Sequence, residues 1–118
     1  MQISVLKSKI NKARVTNCQE SNDDSCEIDG ILLDTVNIST FEKIHINNIT
    51  KGWSIITHAI RGKDNSGVIS INSSPKNNFS VGDLLTISSY AYFDKASLIN
   101  HTPKVCQVNE VNILVKSI

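Results

Sequence analysis

A chain of 118 residues has room for one domain and one modest core, which excludes a separate cofactor-binding domain and points to an active site shared between subunits. Twelve Lys and Arg stand against eleven Asp and Glu, for a formal net charge of +1, which argues against electrostatic capture of nucleic acid. No run approaches the ~20 apolar residues that cross a bilayer, and the N-terminus lacks an apolar signal core, so a cytoplasmic protein without membrane contact is expected.

The basic cluster Lys7, Lys9, Lys12 and Arg14 reads as a solvated edge with room for one functional lysine rather than a phosphate track. Residues 29–36 suit a short helix, with Asp29 as N-cap and Ile31, Leu32 and Val36 as its apolar positions. Residues 43–49 alternate apolar and polar with period two, 50–52 form a turn, and 54–60 resume as the second arm of a hairpin. Residues 61–65 read as a polar loop, 67–72 as a strand and 73–76 as a breaker. After the turn at Val81-Gly82-Asp83, residues 84–93 make a long β-branched and aromatic strand, and another turn follows at 94–99. Residues 104–109 and 111–115 complete the pattern as a strand pair around Asn109-Glu110. So many short strands predict an all-β domain with short helices, closed or nearly closed into a barrel, because closure removes exposed edges. No repeat or linker interrupts residues 1–118, which read as one domain.

Cys18, Cys26 and Cys106 show no zinc-ligand spacing, so free thiols and no metal site are expected. The triplets Asn37-Ile38-Ser39 and Asn48-Ile49-Thr50 reflect an Asn-rich composition rather than glycan acceptors. His45 and His101 lack a partner at ligand spacing and read as surface residues. Trp53 and the group Tyr90, Tyr92 and Phe93 read as packing rather than a stacking platform for bases.

The polar stretch Asn22-Asp23-Asp24-Ser25-Cys26-Glu27-Ile28-Asp29 carries a further signal when taken with residues elsewhere. Leu6, Lys9, Arg14-Val15-Thr16, Leu33-Asp34, Asn48, Gly52, Thr57, Ala59-Ile60, Ser66, Ile69, Asn72, Val81-Gly82-Asp83 and Pro103 stand in one register with it. Together these positions resemble the pyruvoyl-dependent aspartate 1-decarboxylase family over nearly the whole chain. The resemblance implies a double-psi β-barrel, a homotetramer and active sites between subunits. It also implies cleavage between Asp24 and Ser25: the Ser25 hydroxyl attacks the preceding carbonyl carbon, elimination breaks the chain, and Ser25 becomes a covalent pyruvoyl cofactor. The ketone of that group forms a Schiff base with the substrate amine and withdraws electrons as CO₂ leaves. Thr57 is implied to hold the carbonyl for attack, and Asn72 to steady the oxyanion. Lys9, Thr57 and the turn Ser73-Ser74-Pro75 are implied to bind substrate, and His58 to supply the proton after decarboxylation.

The departures from the family pattern bear on the chemistry. Asp24 stands where glycine is usual; aspartate tolerates left-handed backbone well, but its charge beside the scissile bond should slow attack. Asn22 replaces a tyrosine before the cleavage site. His58 replaces the tyrosine held to reprotonate the product, and can still donate a proton. Ser54 replaces an arginine that grips a substrate carboxylate, which a neutral hydroxyl cannot do. Asn72-Ser73-Ser74-Pro75 replaces Asn-Gly-Ala-Ala, and Pro75 lacks a backbone N–H. Lys9 is left as the obvious carboxylate anchor, with Lys51 or Arg61 from a neighbouring subunit as the other cations to consider.

Three functions are therefore weighed. The leading one is conversion of L-aspartate to β-alanine and CO₂ for pantothenate synthesis. The others are the same chemistry on another small amino acid, and an uncleaved, non-catalytic barrel with a structural or regulatory role. The need for a maturation factor is left open.

Overall fold

The computed structural model describes residues 1–73 and 78–118. Among them the chain forms strands β1 (Gln2–Arg14), β2 (Asn17–Glu20), β3 (Ser25–Asp29), β4 (Lys43–Asn48), β5 (Trp53–Gly62), β6 (Ile69–Ser73), β7 (Leu84–Asp94), β8 (Lys104–Val108) and β9 (Leu114–Ser117). One short helix, α1 (Gly30–Val36), follows β3, and a 3-10 turn spans Lys95–Asn100.

The strands lie in the order β2-β6-β3-β5-β4-β7-β1-β8-β9. The β1·β8, β2·β6 and β3·β5 pairs are parallel, and the others antiparallel. This order forces curvature. β1 and β2 stand six strands apart, roughly 29 Å on a flat sheet with ~4.8 Å spacing, yet only Val15 and Thr16 join them. Two linking residues reach about 11 Å, so the sheet curls until its distant parts meet. The junction is hydrogen-bonded where they do: Val15 N–H donates to the Asp83 carbonyl at 3.0 Å and Thr16 N–H to the Ile69 carbonyl at 2.8 Å. The curled, strand-dense sheet with parallel crossings is the all-β barrel class expected for a double-psi fold.

Period-two alternation fills the inside of the curl. Ile10, Ile28, Ile44, Ile46, Ile69, Leu85 and Ile87 are fully buried, each worth about 1.5–3 kcal/mol of apolar burial. Leu32, Leu33 and Val36 of α1 join the same core. As expected, Asp29 caps α1, its Oδ1 accepting from Ile31 N–H at 2.9 Å. The same carboxylate also accepts from Asn65 N–H at 3.0 Å and Gly67 N–H at 2.9 Å. Gly67 is required there: its φ is +71°, and a Cβ would meet the Val111 carbonyl oxygen at 2.4 Å.

The hairpin expected at 43–60 is β4 and β5, paired from Lys43–His58 to Asn48–Trp53. Strands β1, β2 and β3 were not anticipated, because Ser8, Lys9, Lys12, Glu20 and Glu27 interrupt any apolar run. The last strand begins at Leu114 rather than 111, because Asn112 takes a left-handed turn conformation with φ 63°. Buried Asn112 then donates to the Arg14 and Gly67 carbonyls, both at 2.8 Å, and accepts from Arg14 N–H at 2.8 Å.

His101 is not a free surface residue. It is half-buried, its Nε2 hydrogen-bonds the Leu6 carbonyl at 2.7 Å, and its ring meets Phe93 edge-on at 4.5 Å. His45 is likewise half-buried, edge-on to Tyr90 at 5.0 Å. Conversely Trp53, Tyr90 and Tyr92 are exposed rather than packed inside, because their alternation places them on the outer face. All three cysteines are free thiols.

The turn Val81-Gly82-Asp83 is held by a buried carboxylate. Asp83 Oδ2 accepts from Asn48 Nδ2 at 2.8 Å and Ser80 N–H at 2.8 Å, with Lys51 Nζ at 3.5 Å. Burial pushes the Asp83 carboxyl up, but Asn48, Ser80 and Lys51 outweigh it and hold the group below the ordinary value of 3.8. A depressed folded pKa stabilises the fold fully above the unfolded value, and that contribution is lost as pH falls through the folded one. Asp83→Asn is expected to cost about 2 kcal/mol near pH 7, with the difference from wild type shrinking towards about pH 3. Urea unfolding of both proteins at the two pH values checks this, and a difference independent of pH would count against a role for the charge.

Candidate active site

Ser25 opens β3, and its position is set from both sides. On one side it pairs antiparallel with Asn72 of β6, and Asn72 Nδ2 donates to Ser25 Oγ at 3.1 Å. On the other side β3 runs parallel to β5 with Cys26 beside Ala59. Cys26 and Ala59 are fully buried, so alternation turns Ser25 and His58 to the opposite, outer face. Continued one residue back, the β3–β5 register sets His58 beside Ser25; continued two back, it sets Thr57 beside Asp24.

Thr57 is buried, and its Oγ1 has no hydrogen-bond partner among the described residues. An unsatisfied buried hydroxyl is costly and unusual. The β3–β5 register, extended past the start of β3, sets it on the side of the peptide bond expected to be cut. The Cys26 thiol, the neighbouring nucleophile, is kept protonated: burial, and secondarily the Glu27 charge, push its pKa far up. Ser25 is left as the accessible nucleophile of the segment.

Asp24 is exposed and is not among the positive-φ residues, so its Cβ meets no left-handed strain. The expected reliance on aspartate's tolerance of that geometry does not arise. The bend before it is organised by Ser21, whose Oγ accepts from Asp23 N–H at 3.1 Å. Asn22 is exposed on that bend.

The single chain does not gather every expected residue. Lys9 lies on β1, paired with Ser88 and Val105, four strands from β3 and roughly 19 Å along the sheet at ~4.8 Å per strand. Ser54 is exposed at the start of β5, and its hydroxyl bonds Asn47 Oδ1. Ser73 is buried, and its carbonyl accepts from Ser21 N–H at 3.2 Å; alternation turns its side chain away from the Asn72 face. Ser74 and Pro75 lie outside the described residues. Arg61 forms a fork to Asp34 at 2.8 and 3.0 Å and also meets Asp64 at 3.0 Å; Lys51 is engaged by Asp83.

Two neighbours of His58 were missed by sequence reasoning. Phe41 lies with its ring centroid 6.4 Å from that of His58. Lys43 stands directly across the β4–β5 ladder from His58. The hairpin pattern contained the signal for Lys43, since counting back from the turn pairs 43 with 58. Phe41 lay before the hairpin and had none.

Among the described residues no three His, Cys, Asp or Glu gather as a metal site, and no helix is long and apolar enough to cross a membrane.

Residues 1–115 match the family model described as Aspartate decarboxylase. An Aspartate 1-decarboxylase of Ruthia magnifica subsp. Calyptogena magnifica is 44% identical over 116 residues, covering 98% of each chain. That of Nitrosococcus oceani is 38% identical, covering 97% of this chain and 90% of its own. That of Acinetobacter baumannii (strain ATCC 17978) is 41% identical, covering 92% and 86%. Among solved structures, the computationally designed msDPBB_sym2 protein is similar over 72% of this chain and 96% of its own, at 17% identity and a TM-score of 0.49.

Thr57→Val replaces the unpartnered hydroxyl with a methyl of like shape. It is expected to leave stability unchanged or raise it by about 1 kcal/mol, read from the urea midpoint. A loss of that size instead would show that the hydroxyl is hydrogen-bonded in the folded protein.

Proposed function

The chain belongs to the aspartate decarboxylase family, and from that membership we propose that it cuts itself between Asp24 and Ser25 and converts L-aspartate to β-alanine and CO₂. The product would serve pantothenate synthesis, as the family implies. The observation that carries the proposal is the pairing of Ser25 Oγ with Asn72 Nδ2 at 3.1 Å, beside a buried Thr57 hydroxyl that has no partner among the described residues.

In the first step Ser25 Oγ forms a bond to the Asp24 carbonyl carbon as the Asp24–Ser25 amide breaks and the nitrogen takes the hydroxyl proton, leaving an ester. β-Elimination then breaks the Oγ–Cβ bond with loss of the residue 25 Cα proton and releases the Asp24 carboxylate, and water replaces the nitrogen of residue 25, which leaves as ammonia. Asn72 orients the attacking oxygen. Thr57 is placed to donate to the carbonyl oxygen as negative charge develops there, a contribution of about 3 kcal/mol for one donor. Among the described residues no group bonds that hydroxyl in the uncut chain, which fits a donor reserved for the Asp24 carbonyl.

The orphaned Thr57 hydroxyl and the Asn72 amide also fit a small carbonyl group at position 25. A pyruvoyl group there supplies a ketone that bonds the substrate amine and withdraws electrons from the bond to the departing carboxylate. His58, beside position 25 on the outer face, holds a proton for the substrate carbon that loses CO₂. Lys9 is too distant along its own chain, so its role as a carboxylate anchor calls for a second copy; a homotetramer with sites between subunits meets that need. Residues 1–118 act as one domain in this scheme.

Intact mass of the purified protein is the test. A 24-residue peptide and a 94-residue remainder that reacts with phenylhydrazine are expected, and Ser25→Ala abolishes both without unfolding. Thr57→Val and Asn72→Ala lower the cleaved fraction, and Asp24→Gly raises it by removing the charge beside the bond. A single uncut mass after prolonged warm incubation would overturn cleavage and favour a non-catalytic barrel. Cleaved protein that ignores aspartate but consumes another small amino acid would overturn the substrate alone.

A further inference from the structure

Resting on the proposed decarboxylase, we propose that Lys43 is the specificity residue that receives the side-chain carboxylate of the substrate. An acidic amino acid carries two carboxylates. One leaves as CO₂, and the other stays ionised throughout the reaction and needs a cation wherever the site excludes water.

The cations near the outer face are mostly committed elsewhere. Lys7 pairs with Glu42, Lys51 with Asp83, and Arg61 with Asp34 and Asp64. Lys43 has no hydrogen-bond or ion-pair partner among the described residues, and it is exposed on the face that carries His58 and Ser25. Its backbone is two strands from that of Ser25, roughly 10 Å at ~4.8 Å per strand. An extended lysine covers about 6 Å, which leaves the span of a four-carbon amino acid bonded at position 25.

The surroundings of Lys43 favour an anion. Beyond it, a cavity of about 350 Å³ is lined by Ser4, Lys43, His45, Tyr90 and Tyr92. No Asp or Glu is among these, and the hydroxyls of Ser4, Tyr90 and Tyr92 are donors that can accompany the ammonium. The β4–β7 pairing of His45 with Ser88, continued by two residues, sets Tyr90 beside Lys43 on the side away from His58. Lys43 therefore stands between the proton donor and an acid-free recess, where a side-chain carboxylate would lie once the amine is held at position 25. A neutral amino acid has nothing to place there.

Two measurements on the full-length protein test this. In the cleaved enzyme, Lys43→Gln is expected to lower kcat/KM for aspartate at least tenfold, mainly through KM, with the cleaved fraction by mass unchanged; Lys43→Arg retains most of the activity. Succinate has the carboxylates without the amine and needs no group at position 25, so calorimetric titration of wild type and Lys43→Gln reads the subsite even in uncut protein. At least fivefold weaker succinate binding by the variant is expected. Equal succinate binding, or equal KM for aspartate, in wild type and Lys43→Gln would overturn the assignment. Uncut wild type that still binds succinate through Lys43 would overturn the decarboxylase proposal while upholding this subsite.

Discussion

The parallel pairing of β3 with β5 is the constraint on which the site depends. Side chains alternate with period two, so a slip of one residue would send Ser25 into the core and Cys26 to the outer face. Two features oppose that slip. Cys26 and Ala59 are fully buried residues facing each other, and a slip would put the Ser25 hydroxyl or the Glu27 carboxylate in that apolar place, where a polar group without a partner is costly. At the other end of β3, the Asp29 carboxylate is tied to the N–H groups of residues 31, 65 and 67. A shift of β3 would break three hydrogen bonds to a charged acceptor, each worth about 1.5–3 kcal/mol. The same carboxylate that starts α1 thus indexes the serine four residues before it.

Buried polar groups serve the closure in the same way. A sheet that must curl to join β1 to β2 brings backbone from distant parts of the chain together, and the groups stranded at those seams need partners. Asn112 satisfies three of them at the end of β1 and at Gly67. Asn48 and Asp83 do likewise at the turn before β7. Apolar side chains would fill the space but leave N–H and C=O groups unpaired, so asparagine and aspartate occupy positions that composition alone would assign to loops.

This explains what was legible in the sequence. The β4–β5 hairpin and β7 stood out because both follow a clean alternation, and the cap of α1 because Asp29 precedes an apolar run. β1, β2 and β3 were obscured: each carries polar residues on an outer face, and each pairs with strands remote in sequence, which no local pattern records. For the site, Ser25, Thr57 and Asn72 could be named because they match a family pattern in register. Their physical relation, with Asn72 bonded to Ser25 and Thr57 without a partner among the described residues, required the three-dimensional pairing. His101 and Tyr92 went the wrong way for a common reason. Residue type suggested an exposed histidine and a packed tyrosine, while strand phase and a backbone carbonyl at Leu6 decided otherwise.

In the proposed site Lys43 supplies from β4 the counter-charge for an acidic substrate that an arginine at position 54 would give and the neutral Ser54 does not. Position 54 is four residues from His58 on β5, roughly 13 Å at ~3.3 Å per residue, whereas Lys43 is its immediate cross-strand neighbour. A cation at 54 would approach a substrate from along the strand or from a second subunit; one at 43 approaches from across the ladder within the same chain. The two chemistries also differ. An arginine fork fixes the plane of a carboxylate, while a lysine ammonium is a flexible point charge that tolerates several orientations. A site built around Lys43 would hold its substrate less rigidly and leave more of the positioning to the bond at residue 25 and to the Asn72 amide. In such a site, recognition of the acidic side chain is separable from the geometry that cuts the chain, since the proposed cleavage rests on Asn72 of β6 and on buried Thr57 of β5, and recognition on exposed Lys43 of β4.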